Sequence, residues 1–220
     1  MSANSEPQVR ALPRGPHGLT RAEVEGSQRE RLLWAIAEAV AEKGFIATTV
    51  SDIISRAKVS RTTFYQLFTD KLDCFLAANL AASEILVGHL ESELRRIDQT
   101  PGLSVQERFD QLLSSYLDSV AGLAGFAKVF LVEVYAAGAP AVAQRRDLLG
   151  TFIDLVVESR WGVDEGMISE TELRAIAEVM VSALSLNATT ALAVDDIDAI
   201  GKIKHSASIT IALLLPPTSR

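Results

Sequence analysis

Apolar residues recur three and four positions apart along almost the whole chain, and no stretch alternates with a period of two. That spacing predicts helices throughout, an all-α fold. The first helix opens at Thr20-Arg21-Ala22-Glu23 or at Ser27-Gln28-Arg29-Glu30, both of which fit the capping box, and the earlier start is preferred. Leu33, Ile36, Ala37 and Val40 give it one apolar side, and Gly44 stands where a left-handed cap closes such a helix. Thr49, with Asp52 three residues on, opens a second helix striped by Val50, Ile53, Ile54 and Ala57. Ser60 caps a short third helix that turns Phe64, Leu67 and Phe68 to one side. The three helices enclose a small core of Leu33, Ile36, Val40, Phe45, Ile53, Val59, Phe64 and Phe68.

A long helix follows, capped by Thr69, starting at Asp70 and reaching about Asp98 before Pro101-Gly102. Ser104 and Glu107 box the start of the next, whose inner side carries Phe109, Leu112, Leu113, Tyr116, Leu117 and Val120, and which ends at Gly122 and Gly125. A shorter helix is expected over about 126–137 and another over about 140–161, the latter with Leu148, Leu149, Phe152, Ile153, Leu155 and Val156 inward. A helix over about 169–194 is boxed by Ser169 and Glu172, and a last one, capped by Asp195, runs over about 195–215. The first of these two presents Leu173, Ile176, Ala177, Met180 and Leu184 on one face and Val179, Ala183, Leu186 and Ala193 on another. A helix with two apolar faces is buried on both, so one face serves the subunit core and the other needs a second chain.

Opposite the apolar side of the third helix, Arg61, Thr62, Thr63, Tyr65 and Gln66 share one polar arc. A guanidinium, two hydroxyls, a phenol and an amide suit phosphate oxygens and base edges. A helix of about 12 Å cannot bury much and leans on its neighbours, which leaves that arc to face double-stranded DNA as the second helix of a helix-turn-helix. The formal net charge of −7 looks wrong for such a partner until it is divided. Residues 1–26 are neutral, 27–72 carry +2 and 73–220 carry −9, so the acid lies away from the proposed DNA face. Residues 1–19, with three prolines and no apolar period, form a flexible arm whose Arg10, Arg14 and His17 either follow the minor groove or stay in solvent. Residues 20–72 then make the DNA-binding domain and 73–220 a helical domain for an effector and for dimerisation.

The lone Cys74 excludes an internal disulfide framework, and the N-terminus lacks a charged-then-apolar secretory start, so a cytoplasmic setting is expected. The most apolar region, Leu123 to Ala143, is interrupted by Lys128, Glu133 and Pro140, and no membrane span is expected. His17, His89 and His205 share no ligand spacing, so no metal is expected, and the absence of a phosphate-cradling glycine loop or nucleophile elbow argues against a cofactor or an enzyme. The Asn187-Ala188-Thr189 sequon is not expected to matter on a cytoplasmic helix, and the acids of Asp195-Asp196-Ile197-Asp198 suit a helix N-terminus. Phe109, Tyr116, Phe126, Phe130, Tyr135, Phe152 and Trp161 supply aromatic surface that either lines an apolar pocket or packs as core. The candidate ligand residues among them are Phe109, Tyr116, Phe130 and Phe152, joined by Asn187, whose amide either orients a ligand or fixes dimer register.

Thr49-Val50, Ile53, Ala57, Val59-Ser60, Thr63-Phe64-Tyr65, Phe68 and Lys71 follow the pattern T-V-x-x-I-x-x-x-A-G-V-S-x-x-T-F-Y-x-x-F-x-x-K of the TetR family of bacterial transcriptional regulators. The chain resembles that family over about residues 27–75. Lys58 departs from it, standing where the family usually has glycine, at a cost of about 1 kcal/mol if the residue is left-handed, and it adds a cation beside the DNA. The resemblance implies a homodimer joined through its last two helices and a divergent C-terminal domain that binds a small molecule. It also implies that Arg61, Thr62, Thr63, Tyr65 and Gln66 make the recognition-helix contacts, with Thr49 and Lys71 as phosphate clamps at helix N-termini. The expected function is that of a ligand-responsive repressor on a palindromic operator. The alternative, prompted by the acidic total charge and Lys58, is an all-helical small-molecule binding or scaffold protein whose DNA contact is vestigial.

Overall fold

The structure is a computed structural model that describes residues 21–215. Among them ten helices follow one another: α1 Arg21–Lys43, α2 Val50–Ala57, α3 Arg61–Leu67, α4 Lys71–Asp98, α5 Val105–Gly122, α6 Ala124–Leu131, α7 Glu133–Ala136, α8 Ala139–Glu158, α9 Glu170–Ala193 and α10 Asp198–Leu214. No strand is present among the described residues.

Local chemistry sets most of the starts. Thr49, Ser104 and Ser169 each accept from the N–H three residues on, and Asp52, Glu107 and Glu172 reach back to the cap N–H, which satisfies orphan donors at both positions. Two caps differ from expectation. Asp70, not Thr69, caps α4 by accepting from Asp73 N, and Thr69 instead donates to the Asp73 carboxylate. Asp195 does not open α10. It takes a left-handed φ of 56° beyond the C-terminus of α9, with Asp195 N donating to Leu192 O and Asp196 N to Ala191 O, a Schellman closure in which aspartate stands in the place glycine favours. The helix then begins at Asp198, and Asp196 accepts from Ala199 N. Thr20 and the N-terminal arm with Arg10, Arg14 and His17 lie outside the described residues.

Two cores hold the molecule. The first joins Leu32, Ile36 and Val40 of α1 to Ile53, Phe64, Phe68 and Phe75, so the head formed by α1–α3 extends into the first turns of α4. It also takes in Val129, Val134 and Ala141, so α6, α7 and α8 pack directly against the head. The expected helix over 126–137 is broken at Val132. The break lets Glu133 aim its carboxylate at the α1–α2 loop, where it accepts from Phe45 N at 2.8 Å.

The second core lies between α4, α5, α9 and α10 and is centred on Ile97, Leu117, Trp161 and Leu173. Trp161 sits edge-on to Phe109 at 5.2 Å and donates its indole N–H to Asp98, outside α8, which stops at Glu158. The apolar residues expected inward on α8 are only half-buried, while Ala141, Arg145 and Val157 are buried. α9 is long and apolar enough by composition to cross a membrane. It is nevertheless built into the fold, with Leu173, Ala177, Ser185, Ala188, Ala191 and Leu192 buried against α6, α8 and α10.

Candidate nucleic-acid interface and interior cavity

The polar arc of α3 is exposed because Phe64, on the opposite side, is fully buried and fixes the rotation of a helix of seven residues. Ser60 caps it, accepting from Thr63 N at 3.0 Å, and the two hydroxyls meet at 2.8 Å. Arg61, Thr62, Tyr65 and Gln66 are exposed and Thr63 is half-buried beneath them. The Tyr65 ring leans edge-on against Phe64, and the Arg61 guanidinium stands 5.7 Å from its centroid, so arginine and phenol form one outward platform.

Most cations of the head already have partners. Lys43 meets Asp52 at 2.6 Å, Arg56 pairs with Glu42, and Arg31 donates to Ala57 O. Among the described residues, no carboxylate lies within ion-pair distance of Lys58 or Arg61. Lys58 is left-handed at φ 53° and ψ 46°, in the turn between α2 and α3, and is exposed. Lys58 and Arg61 thus stand together at the N-terminal end of α3 with no acid partner among the described residues.

The two expected phosphate clamps are differently placed. Thr49 is exposed at the start of α2, but its hydroxyl donates to Asp52 at 2.8 Å, and Lys43 and Thr49 together hold that carboxyl down to about 2. A carboxylate thus already occupies the anion-favouring end of α2. Lys71 turns its ammonium inward, donating to the carbonyls of Phe45 at 2.6 Å and Thr48 at 2.8 Å and lying 4.2 Å over the Phe45 ring. Burial pushes its pKa down. It ties α4 to the loop between α1 and α2, and its donors are directed into the protein.

A cavity of about 110 Å³ lies in the second core. Leu90 and Leu94 of α4, Leu112 of α5, Leu149 of α8 and Met180 of α9 contribute to its wall. Of the expected ligand residues, Phe109, Tyr116 and Phe152 line it, with Tyr116 and Phe152 in edge contact at 6.1 Å. Phe130 and Asn187 do not. Phe130 packs at 6.3 Å on Phe75 in the head core, and Asn187 is exposed on α9 and donates to Ala183 O within its own helix.

Two elements run from this cavity to the head. α4 reaches from Phe75, in the head core, to Leu90 at the cavity, about 22 Å by the helical rise. α8 carries Ala141 in the head core and Leu149 and Phe152 at the cavity. The two are clasped where Asn79 donates to Gln144 Oε1 at 2.7 Å and Gln144 donates to Leu76 O at 3.0 Å. Sequence reading missed Glu133, Gln144 and Arg145, since each acts on residues far away in the chain.

A solvent-facing recognition helix on a small helical head, mounted on a helical body with an apolar cavity, defines a DNA-binding transcriptional regulator. Residues 32–78 match the model of the bacterial regulatory proteins of the tetR family, so this part of the chain is a TetR-type DNA-binding head. None of the curated proteins matches it. Among solved structures it resembles the fatty acid degradation regulator FadR of Bacillus halodurans, with a TM-score of 0.71 at 18% identity over 95% of this chain and 100% of that one. It also resembles FadR of Bacillus subtilis, solved with stearoyl-CoA, with a TM-score of 0.68 at 20% identity over 86% and 99%. A TetR-family regulator of Pectobacterium atrosepticum matches with a TM-score of 0.65 at 20% identity over 90% and 98%.

Proposed function

We propose that the protein is a cytoplasmic, homodimeric repressor that releases a near-palindromic operator when an apolar small molecule enters the cavity between α4, α5, α8 and α9. The observation that carries this reading is the outward platform of Arg61, Thr62, Tyr65 and Gln66 on a helix whose other side is sealed by Phe64. Arg61 and Gln66 are the base-reading residues, Thr62, Thr63 and Tyr65 position the helix against phosphates, and Lys58 adds charge at its flank. Thr49 closes the start of α2 with its N–H and hydroxyl both donated to Asp52, and Lys71 shapes the loop behind it.

The second copy packs on the exposed apolar faces of α9 and α10, where Val179, Leu186, Ile209 and Leu213 are 68%, 66%, 48% and 78% exposed. Patches of this kind mark protein contacts, and a symmetric dimer sets two recognition helices about 34 Å apart or a multiple of it. A ligand that spreads Leu90 from Phe152 tilts α4 and α8 together, because Asn79 and Gln144 clasp them, and so moves the head. The coupling required is about 1–3 kcal/mol. The similarity in fold to a FadR solved with stearoyl-CoA agrees with an effector that is largely hydrocarbon.

The test is a mobility-shift assay on DNA upstream of the protein's own gene. Arg61→Ala should weaken specific binding by about 1–3 kcal/mol while changing non-specific binding much less. Equal loss of both reduces Arg61 to a phosphate contact, and no shift of any duplex by the intact protein ends the reading.

A further inference from the structure

The cavity wall is hydrocarbon almost everywhere; Ser185 and Tyr116 bring its polar groups, and the Arg145 charge acts on the Tyr116 phenol. Ser185 lines it and is 5% exposed, and Tyr116 lines it with a phenol whose pKa burial pushes up. Behind Ser185, one turn before Leu149 on α8, lies Arg145, also 5% exposed. Arg145 Nη2 donates to Ser185 Oγ at 2.6 Å and to Thr189 Oγ1 at 2.8 Å, Nη1 donates to Phe130 O at 3.3 Å, and the guanidinium lies 5.8 Å from the Tyr135 centroid. Every one of these partners is neutral. Among the described residues, no carboxylate lies within ion-pair distance of Arg145.

A buried guanidinium held only by neutral groups is costly, and negative charge brought near it relieves that cost. The hydroxyls beside it are arranged for this. Thr189 spends its proton on Ser185 O at 2.7 Å, so its oxygen is committed to accept from Arg145. Ser185 Oγ also accepts from Arg145, while no hydrogen bond among the described residues uses its proton. A hydroxyl whose oxygen is bound to a cation is a stronger donor.

We propose that the cavity takes a hydrophobic carboxylic acid bound as its carboxylate, with the headgroup on the Ser185 hydroxyl beside Tyr116 and in the field of Arg145. The proposal rests on the ligand-responsive reading above and narrows it to a chemical class. Leu112, Phe152 and Met180 cover the apolar body. Cavities of this order hold a single aromatic ring, and α9 follows this one for about 14 Å from Ile176 to Ser185, so a slender acid of medium length enters by spreading the walls, as the ligand-responsive reading requires. A thioester or an alcohol presents an oxygen at the same place but no charge for Arg145 to neutralise.

Titration calorimetry of the full-length protein with decanoate, decanol and decanoyl-CoA tests this, followed by DNA release with each. Decanoate should bind about tenfold or more tightly than decanol, and Ser185→Ala should remove about tenfold from decanoate and distinctly less from decanol. Arg145→Gln should erase the preference for the acid, and because that variant risks misfolding, Ser185→Ala carries the decision. Decanol binding as tightly as decanoate, decanoyl-CoA binding in preference to both, or a Ser185→Ala variant that keeps full affinity for decanoate each overturns the carboxylate site. If decanoate binds with the expected pattern and DNA stays bound, the site stands and the ligand-responsive reading falls. If decanol releases DNA as well as decanoate does, that reading stands and the carboxylate site falls.

Discussion

Lys71→Met separates a structural tie from a phosphate contact. The ammonium makes short bonds to Phe45 O and Thr48 O and lies over the Phe45 ring. Hydrogen bonds from a charged donor contribute about 1.5–3 kcal/mol each and a partly exposed cation over a ring about 0.5–1. Lys71 is only half-buried, and water replaces part of what methionine cannot supply while the apolar stem keeps its packing, so the net loss is about 2 kcal/mol. For a chain of this length that lowers the melting temperature by about 4–8 °C. Calorimetric melting gives the stability. The salt dependence of DNA affinity gives the electrostatics, since losing a phosphate contact flattens the log–log slope by about 1. The expected outcome is a lowered melting temperature with an unchanged slope. An unchanged melting temperature with a slope flattened by about 1 refutes the reasoning and returns Lys71 to the DNA.

Lys58→Gly should raise stability by up to about 1 kcal/mol in chemical denaturation, because the residue is held at φ 53°, and should weaken non-specific DNA binding through the lost cation. The Asp52 carboxyl is held at about 2 rather than 3.8 by Lys43 and Thr49, so its contribution is complete above 3.8 and is lost as pH falls through about 2. Melting temperatures of Asp52→Asn and the parent should therefore differ at neutral pH and converge towards pH 2; parallel curves would contradict the pairing. Leu186→Glu, at an exposed position on α9, should leave the fold intact by circular dichroism and give a monomer in analytical ultracentrifugation. A dimer that survives it places the interface elsewhere.

The head was legible because its signals are local. Thr49 with Asp52, Ser60 as a cap, and the apolar stripe ending at Phe68 are read within a turn or two, and the capping geometry follows from them. Ser104 with Glu107 and Ser169 with Glu172 are legible for the same reason. The body was legible as helices but not as contacts. Phe130 and Phe152 look alike in an apolar pattern, yet Phe130 packs on Phe75 beside the head core while Phe152 faces the cavity. Arg145 carries no local signal because its partners, Phe130, Ser185 and Thr189, stand 15 to 44 residues away. The same distance hid Glu133, which reaches Phe45 across 88 residues. Asp195 was misread because an acid near a helix start suits a cap, while tertiary placement gave it the left-handed closure of α9 and a 2.6 Å contact with Lys128.

The central claim is that paired heads read DNA through α3. Selection of binding sites from a pool of random duplexes, followed by sequencing, addresses it most directly. The account predicts inverted repeats with half-site centres about 34 Å or a multiple apart, lost when Arg61 and Gln66 are replaced together by alanine. Single unpaired motifs, or an enriched pool that the double replacement leaves unchanged, would contradict it.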